Sequence, residues 1–182
     1  ILDGGIVAWR EAGYEVFTGI NVPSKAFGEF VEHGAGTPRL EAAEIRRMRE
    51  DGQPMVILDS RPLDEYARMN IPGGIDCPGG ELVHRIFEVA PDPQTLVVVN
   101  CAGRTRSIIG AQSLIDAGIP NRVVALKNGT MGWHLAGFEL ERGATRVAPE
   151  PGAAASARAR TAADALARRL GLTFVDRRAL AA

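Results

Sequence analysis

The chain has 182 residues, 46% of them apolar and 24% charged, with 21 basic residues against 22 acidic ones and a formal net charge of -1. These figures describe an ordinary globular protein long enough for one full core with segments to spare, and they argue against a nucleic-acid binder or a disordered tail. Two cysteines are too few for a disulfide framework, and no apolar run of about 20 residues is present to span a membrane, so a reducing, cytoplasmic setting is expected.

In chain order, the sequence opens Ile1-Leu2-Asp3 without a methionine, which reads as a piece of a longer protein. Residues 17–36 read as a linker with a short helix over 24–33, where Phe27, Phe30 and Val31 share one face. Helical patterning follows at 41–51, a buried strand at 55–58 and another helix at 63–69 after Pro62. A further helix is predicted over 79–87, a strand over 96–100, a helix over 107–117 ended by Gly118, and a last strand over 123–126. Gly129 opens a short final helix. The apolar strand runs lack alternation, as in strands covered on both faces, so the fold class is α/β with a mostly parallel sheet between helical layers. Beyond it, residues 148–153 read as linker, and the Ala/Arg-rich stretch 155–170 as a helix closed by Gly171.

An internal repeat divides the chain. Residues 2–16 recur 124 positions later as 126–140, with Leu2, Gly5, Trp9, Ala12, Gly13 and Glu15 meeting Leu126, Gly129, Trp133, Ala136, Gly137 and Glu139. A spacing of that size is a domain. Residues 1–16 are therefore expected to end one copy, 17–36 to link, 37–143 to form a complete copy and 144–172 to link again. Residues 173–182 are expected to open a third copy, since Thr173 to Leu180 weakly resembles Arg39 to Ile45.

The chemistry gathers after the strand Leu96 to Asn100, in Cys101-Ala102-Gly103-Arg104-Thr105-Arg106-Ser107. A cysteine between a strand end and a helix start, with two guanidiniums beside it, suits a thiolate that attacks next to a bound anion. Thr105 and Ser107 can donate hydrogen bonds, and Ser107 is the expected N-cap of the helix. Cys77 lies in an apolar segment without cationic neighbours and reads as a packed, inert thiol. Trp9 and Trp133 read as core anchors, with Trp133 close enough in sequence to the site to border its mouth. No metal-ligand spacing or nucleotide loop occurs, so no cofactor is expected.

These motifs resemble the rhodanese-homology family. The resemblance rests on Asp59-Ser60-Arg61 with Glu65-Tyr66, Ile71-Pro72-Gly73-Gly74, the loop from Cys101 to Arg106, and Gly129-Thr130-Met131-Gly132-Trp133. It implies a three-layer sandwich and, given the repeat, a tandem protein. It also implies a sulfurtransferase in which Cys101 accepts a sulfane sulfur from thiosulfate or a similar donor, becomes a persulfide, and passes the sulfur to a thiol or cyanide. Residues 102–107 would then bind the donor, and Asp59, Arg61 and Glu65 would brace the loops around it. Arg106 matches the family's arginine, whereas Arg104 stands where glycine is common and Asn70 where histidine often precedes Ile-Pro-Gly. The partners implied are small sulfur donors and acceptors and the neighbouring copies, without nucleic acid or membrane.

Two other readings compete. Phosphatases of related fold place five residues between cysteine and arginine, while four separate Cys101 from Arg106, a narrower cradle better matched to sulfur than to phosphate. Arsenate reduction is a variant of that reading. A non-catalytic binding module is the second alternative, and the presence of Cys101 with two arginines speaks against it.

Overall fold

The computed structural model describes residues 3–13 and 22–177. In chain order its elements are α1 (Gly5–Glu11), α2 (Val22–Ala35), β1 (Arg39–Leu40), α3 (Ala42–Glu50), β2 (Met55–Asp59), α4 (Leu63–Arg68), β3 (Ile75–Asp76), α5 (Leu82–Val89), β4 (Leu96–Asn100), α6 (Thr105–Asp116), β5 (Val123–Leu126), α7 (Gly129–Leu135) and α8 (Ala153–Leu170). A single 3-10 turn, Gly79–Glu81, leads into α5, so the helix expected over 79–87 is two pieces.

The five strands form one sheet in the order β1-β5-β4-β2-β3. Every pairing between them is parallel, so the expected mostly parallel sheet is parallel throughout. β4 shows why: all five of its residues are buried, which a central strand covered on both faces requires. Side chains alternate across it. Val97 and Val99 join Leu82 and Ile86 of α5 and Ile108, Ala111 and Leu114 of α6 in one core. Leu96 and Val98 join Ile45 of α3 and Trp133 of α7 in the other. Helices on both faces complete the three layers. The ligand-accepting end of such a sheet is the carboxyl end of its strands, where the loop after β4 lies.

Both segments expected as linkers carry helices that pack on this unit. α8 lays Ala155 and Ala159 into the first core, and the Arg158 guanidinium sits 4.6 Å from the centre of the Phe87 ring. α2 crosses α6 where Gly28 allows it: a Cβ there would stand 2.9 Å from the Thr105 methyl. The helix buries Gly28 and Glu32 and partly buries Val31, while Phe27 and Phe30, on the face expected to pack, are exposed. Glu32 adds ion pairs with Arg104 and Arg39.

The repeat has a conformational signature. α7 is entered through two successive left-handed residues, Asn128 (φ 58°) and Gly129 (φ 56°), and α1 through Gly4 (φ 71°) and Gly5 (φ 59°) at the matching positions. Trp133 is 1% exposed and Trp9, expected as its equivalent anchor, 39% exposed. Leu2, residues 14–16 of the repeat, residues 17–21 of the expected linker and residues 178–182 lie outside the described residues. Residues 172–176 form no regular element, whereas Arg39–Leu40, their expected counterpart, pairs with β5.

Candidate active site

The floor of the site is a buried polar lattice at the ends of β2 and β4, where Asp59 and Asn100 lie side by side in register. Arg61 donates to Asp59 through Nε at 2.8 Å and Nη2 at 2.7 Å, and Nη2 also reaches the Met69 carbonyl at 2.7 Å. Asn100 Nδ2 donates to Asp59 Oδ2 at 3.0 Å and to Thr130 Oγ1 at 2.9 Å. A forked charge pair with further hydrogen bonds is the form in which buried ions are tolerated. Arg61 is 2% exposed and fixes the geometry of the strand ends from below.

Cys101 follows β4 directly, and α7 clamps its loop. The amide of Thr130 donates to the Cys101 carbonyl at 2.8 Å and that of Met131 to the Ala102 carbonyl at 3.0 Å. Between them stands Gly129, where a Cβ would lie 2.3 Å from the Cys101 carbonyl oxygen and 2.6 Å from that of Gly103. With φ at 56° as well, the position admits glycine on two counts. α6 begins at Thr105, two residues earlier than expected, with Arg104 at its N-cap. Ser107, expected as the cap, is instead the third helical residue. Its hydroxyl donates to the Arg104 carbonyl at 2.7 Å and lies 3.6 Å from Cys101 Sγ. The amides of Thr105, Arg106 and Ser107 open α6 and have no carbonyl partner within the helix.

Cys101 faces a cleft of about 540 Å³, with Gly103, Arg104, Thr105, Arg106 and Ile109 from its own loop and helix. Glu65 of α4 and Ser24 and Lys25 of α2 complete the wall. Ala102 and Ser107 support the loop without lining the cleft. Both guanidiniums expected to grip an anion have carboxylate partners. Arg106 Nη1 and Nη2 each meet a Glu65 oxygen at 2.8 Å. Arg104 meets Glu29 at 2.8 Å and is also bonded to Glu32, which Arg39 shares. The Arg106 hydrogen bonds hold Glu65 below the usual carboxylate range. Glu65 in turn raises Arg106 above the usual guanidinium range, and the negative charge available at Cys101 and Asp59 adds to it. Burial works against ionisation of Glu32, and the Arg104 and Arg39 guanidiniums outweigh it, leaving the carboxyl below its ordinary range.

Sequence reasoning placed Glu65 among the bracing residues, and the geometry gives it Arg106 as its partner. It missed Ser24, Lys25, Glu29 and Glu32 on α2 and the hydroxyl of Thr130. The only signal was a glycine beside two glutamates on an amphipathic helix, which does not name an arginine about 75 residues away. Trp133 does not border the cleft; its indole donates to the Glu139 carbonyl at 3.0 Å within the second core. Asn70 is buried, bonded to the Tyr66 and Glu141 carbonyls, and takes no place at the site. Cys77 is fully buried and free, its thiol pushed up to about 12 by burial, so it is a packing residue. A second cleft of about 590 Å³, lined by Arg46, Arg47, Glu50 and Phe138 among others, contains no nucleophile. Among the described residues no cluster of three or more His, Cys, Asp or Glu is placed to hold a metal ion, and no helix is long and apolar enough to cross a membrane.

The profile of the rhodanese-like domain matches residues 41–136. The crystal structure of a thiosulfate sulfurtransferase from Pseudomonas aeruginosa superposes with a TM-score of 0.86 at 54% identity, over 99% of this chain and 34% of that one. A protein from Rhodopseudomonas palustris, described as a possible tyrosine phosphatase, superposes with a TM-score of 0.52 at 25% identity, over 70% of this chain and all of that one. An HTH-type transcriptional regulator from Mycobacterium tuberculosis is 32% identical over 111 residues, 61% of this chain and 48% of the regulator. The chain thus spans about a third of the sulfurtransferase and about half of the regulator.

Proposed function

We propose that this chain, which belongs to the rhodanese-like domain family, is the catalytic portion of a sulfurtransferase that moves a sulfane sulfur through a persulfide on Cys101. The observation that carries the reading is Cys101 at the end of β4, facing a cleft with the Arg106 guanidinium at its wall. The 54% identity to a thiosulfate sulfurtransferase supports thiosulfate as donor.

The Cys101 thiolate attacks the outer sulfur of thiosulfate; the S–S bond of the donor breaks, and its electron pair leaves with sulfite. A thiol or cyanide then attacks the terminal sulfur of the Cys101 persulfide, and the Cys101 thiolate is regenerated as leaving group. No proton donor is required for sulfite to depart, in keeping with a cleft that contains no histidine. The first amides of α6 are donors to negative sulfur, while the Ser107 hydroxyl, which donates to the Arg104 carbonyl, turns its oxygen to the Cys101 thiol. Arg106 remains charged throughout and, braced by Glu65, offers a fixed fork edge to the departing sulfite oxygens. Residues 102–107 shape this cradle, and Asp59, Arg61 and Glu65 hold its frame.

The domain arrangement follows the repeat: 1–16 as the end of a preceding copy, supported by the matching left-handed entries of α1 and α7, and 173–182 as the start of a following one, which rests on the weak sequence match alone. A cytoplasmic location accords with two free thiols.

Incubation with thiosulfate should add one sulfur atom to the intact chain, removable by cyanide and absent in Cys101→Ser. Hydrolysis of an aryl phosphate without sulfur uptake would replace this reading with the phosphatase one.

A further inference from the structure

Every acidic and basic side chain lining the Cys101 cleft but one has an opposite charge beside it. Arg106 is forked onto Glu65. Arg104, though lining the cleft, is held by Glu29 and by Glu32, which is 8% exposed and also bonded to Arg39. Lys25 lines the same cleft, is exposed, and has no carboxylate partner among the described residues. The three glutamates around the loop are thus matched by arginines, and the ammonium of Lys25 is the uncompensated charge at the mouth.

Lys25 is not a chance neighbour of the site. It sits one turn before Gly28, whose missing Cβ lets α2 touch Thr105, and the Glu29 and Glu32 contacts to Arg104 fix the rotation of the helix about that point. Thr37 Oγ1 also donates to Gln112 Oε1 at 2.8 Å, tying the chain after α2 to α6. α2 lies wholly outside residues 41–136, the stretch that the family profile matches.

We infer that α2 is a specificity element of the site and that Lys25 recruits dianionic sulfur donors, thiosulfate above all, by meeting their oxyanion end while Cys101 takes the sulfur. The inference rests on the sulfur-transfer reading. Arg104, occupied by two glutamates, serves as the latch that positions α2. Arg106 is half-engaged by Glu65, so the ammonium of Lys25 is the charge a donor meets first. A donor without an oxyanion, such as a small neutral persulfide, gains nothing from it.

In a double displacement, kcat/KM for donor and acceptor report separate half-reactions, so the two can be read apart. Lys25→Ala is expected to lower kcat/KM for thiosulfate about tenfold, as for loss of one charge-assisted contact. Lys25→Arg is expected to restore most of it, and kcat/KM for an uncharged thiol acceptor such as 2-mercaptoethanol should fall much less than that for thiosulfate in Lys25→Ala. The thiosulfate value of the wild-type chain should fall with added salt more steeply than that of Lys25→Ala. Equal loss for thiosulfate and the uncharged thiol in Lys25→Ala, or no loss for thiosulfate where the wild-type chain transfers sulfur, would overturn the role of Lys25. A wild-type chain that takes up no sulfur would overturn the underlying reading instead.

Discussion

Asp76 carries the sharpest pH prediction. It is 3% exposed on β3, in register with Asp59 on β2, and its Oδ1 has no hydrogen-bond partner. Burial, then the nearby charges of Asp59 and Glu81, push its carboxyl up from 3.8 to about 6. Below the unfolded value the acid is protonated in both states and imposes no cost. As pH rises, the unfolded chain ionises first, and folding loses about 1.4 kcal/mol for each unit of difference. The full cost, about 3 kcal/mol, is reached once pH has passed the folded value near 6; at pH 4.5 it is about 1 kcal/mol. Asp76→Asn keeps the shape without the charge. The variant should therefore be more stable than the parent at pH 8 by up to about 3 kcal/mol, or roughly 6 to 12 °C in Tm, with about a third of that gain at pH 4.5. Thermal unfolding followed by circular dichroism at the two pH values measures it. A gain independent of pH, or a loss at pH 8, would refute the reasoning that an unpaired buried carboxylate is the source.

Three further outcomes are expected. Gly129→Ala forces a Cβ against the Cys101 and Gly103 carbonyls at a left-handed φ, and should lower stability by about 1 to 3 kcal/mol and sulfur loading at least tenfold; an unchanged loading rate would free the loop from α7. Glu65→Gln removes half of a partly exposed fork, so its effect on urea stability should stay within about 1 kcal/mol. Because the Glu65 carboxyl is depressed in the folded state, its brace on Arg106 persists above the ordinary carboxylate range and is lost only as pH falls through the lower folded value; the variant's loading profile should lack that acid limb. Alkylation of the native chain at pH 8 should label Cys101, which lines the cleft, with Cys77, enclosed in the first core and its thiol pushed up to about 12, reacting only in denaturant; native labelling of Cys77 would contradict that placement.

The sheet was legible because Val97, Val98 and Val99 read as one unbroken apolar run, which only a doubly covered strand requires. The position of Cys101 followed from that strand's end. What escaped were relations across long separations. The pairing of Arg104 with Glu29 and Glu32 joins segments about 75 residues apart, and helical periodicity cannot see it. Phe27 and Phe30 drew attention as the apolar face of α2, yet they are exposed, and the helix docks through a glycine contact and ion pairs in which Glu32 is the buried member. Ser107 was misplaced as a cap because α6 starts at Thr105, a boundary set by the loop's tertiary clamp and not by capping preference. Trp9 and Trp133 match in sequence and in the entry to their helices, but Trp133 is buried in the second core and Trp9 is 39% exposed.

The central claim is that Cys101 carries sulfur between donor and acceptor. Intact-mass measurement of the chain after thiosulfate treatment, followed by peptide mapping, tests it most directly. The account predicts one added sulfur located on Cys101 and lost on treatment with cyanide; an unchanged mass, or sulfur on Cys77, would contradict it.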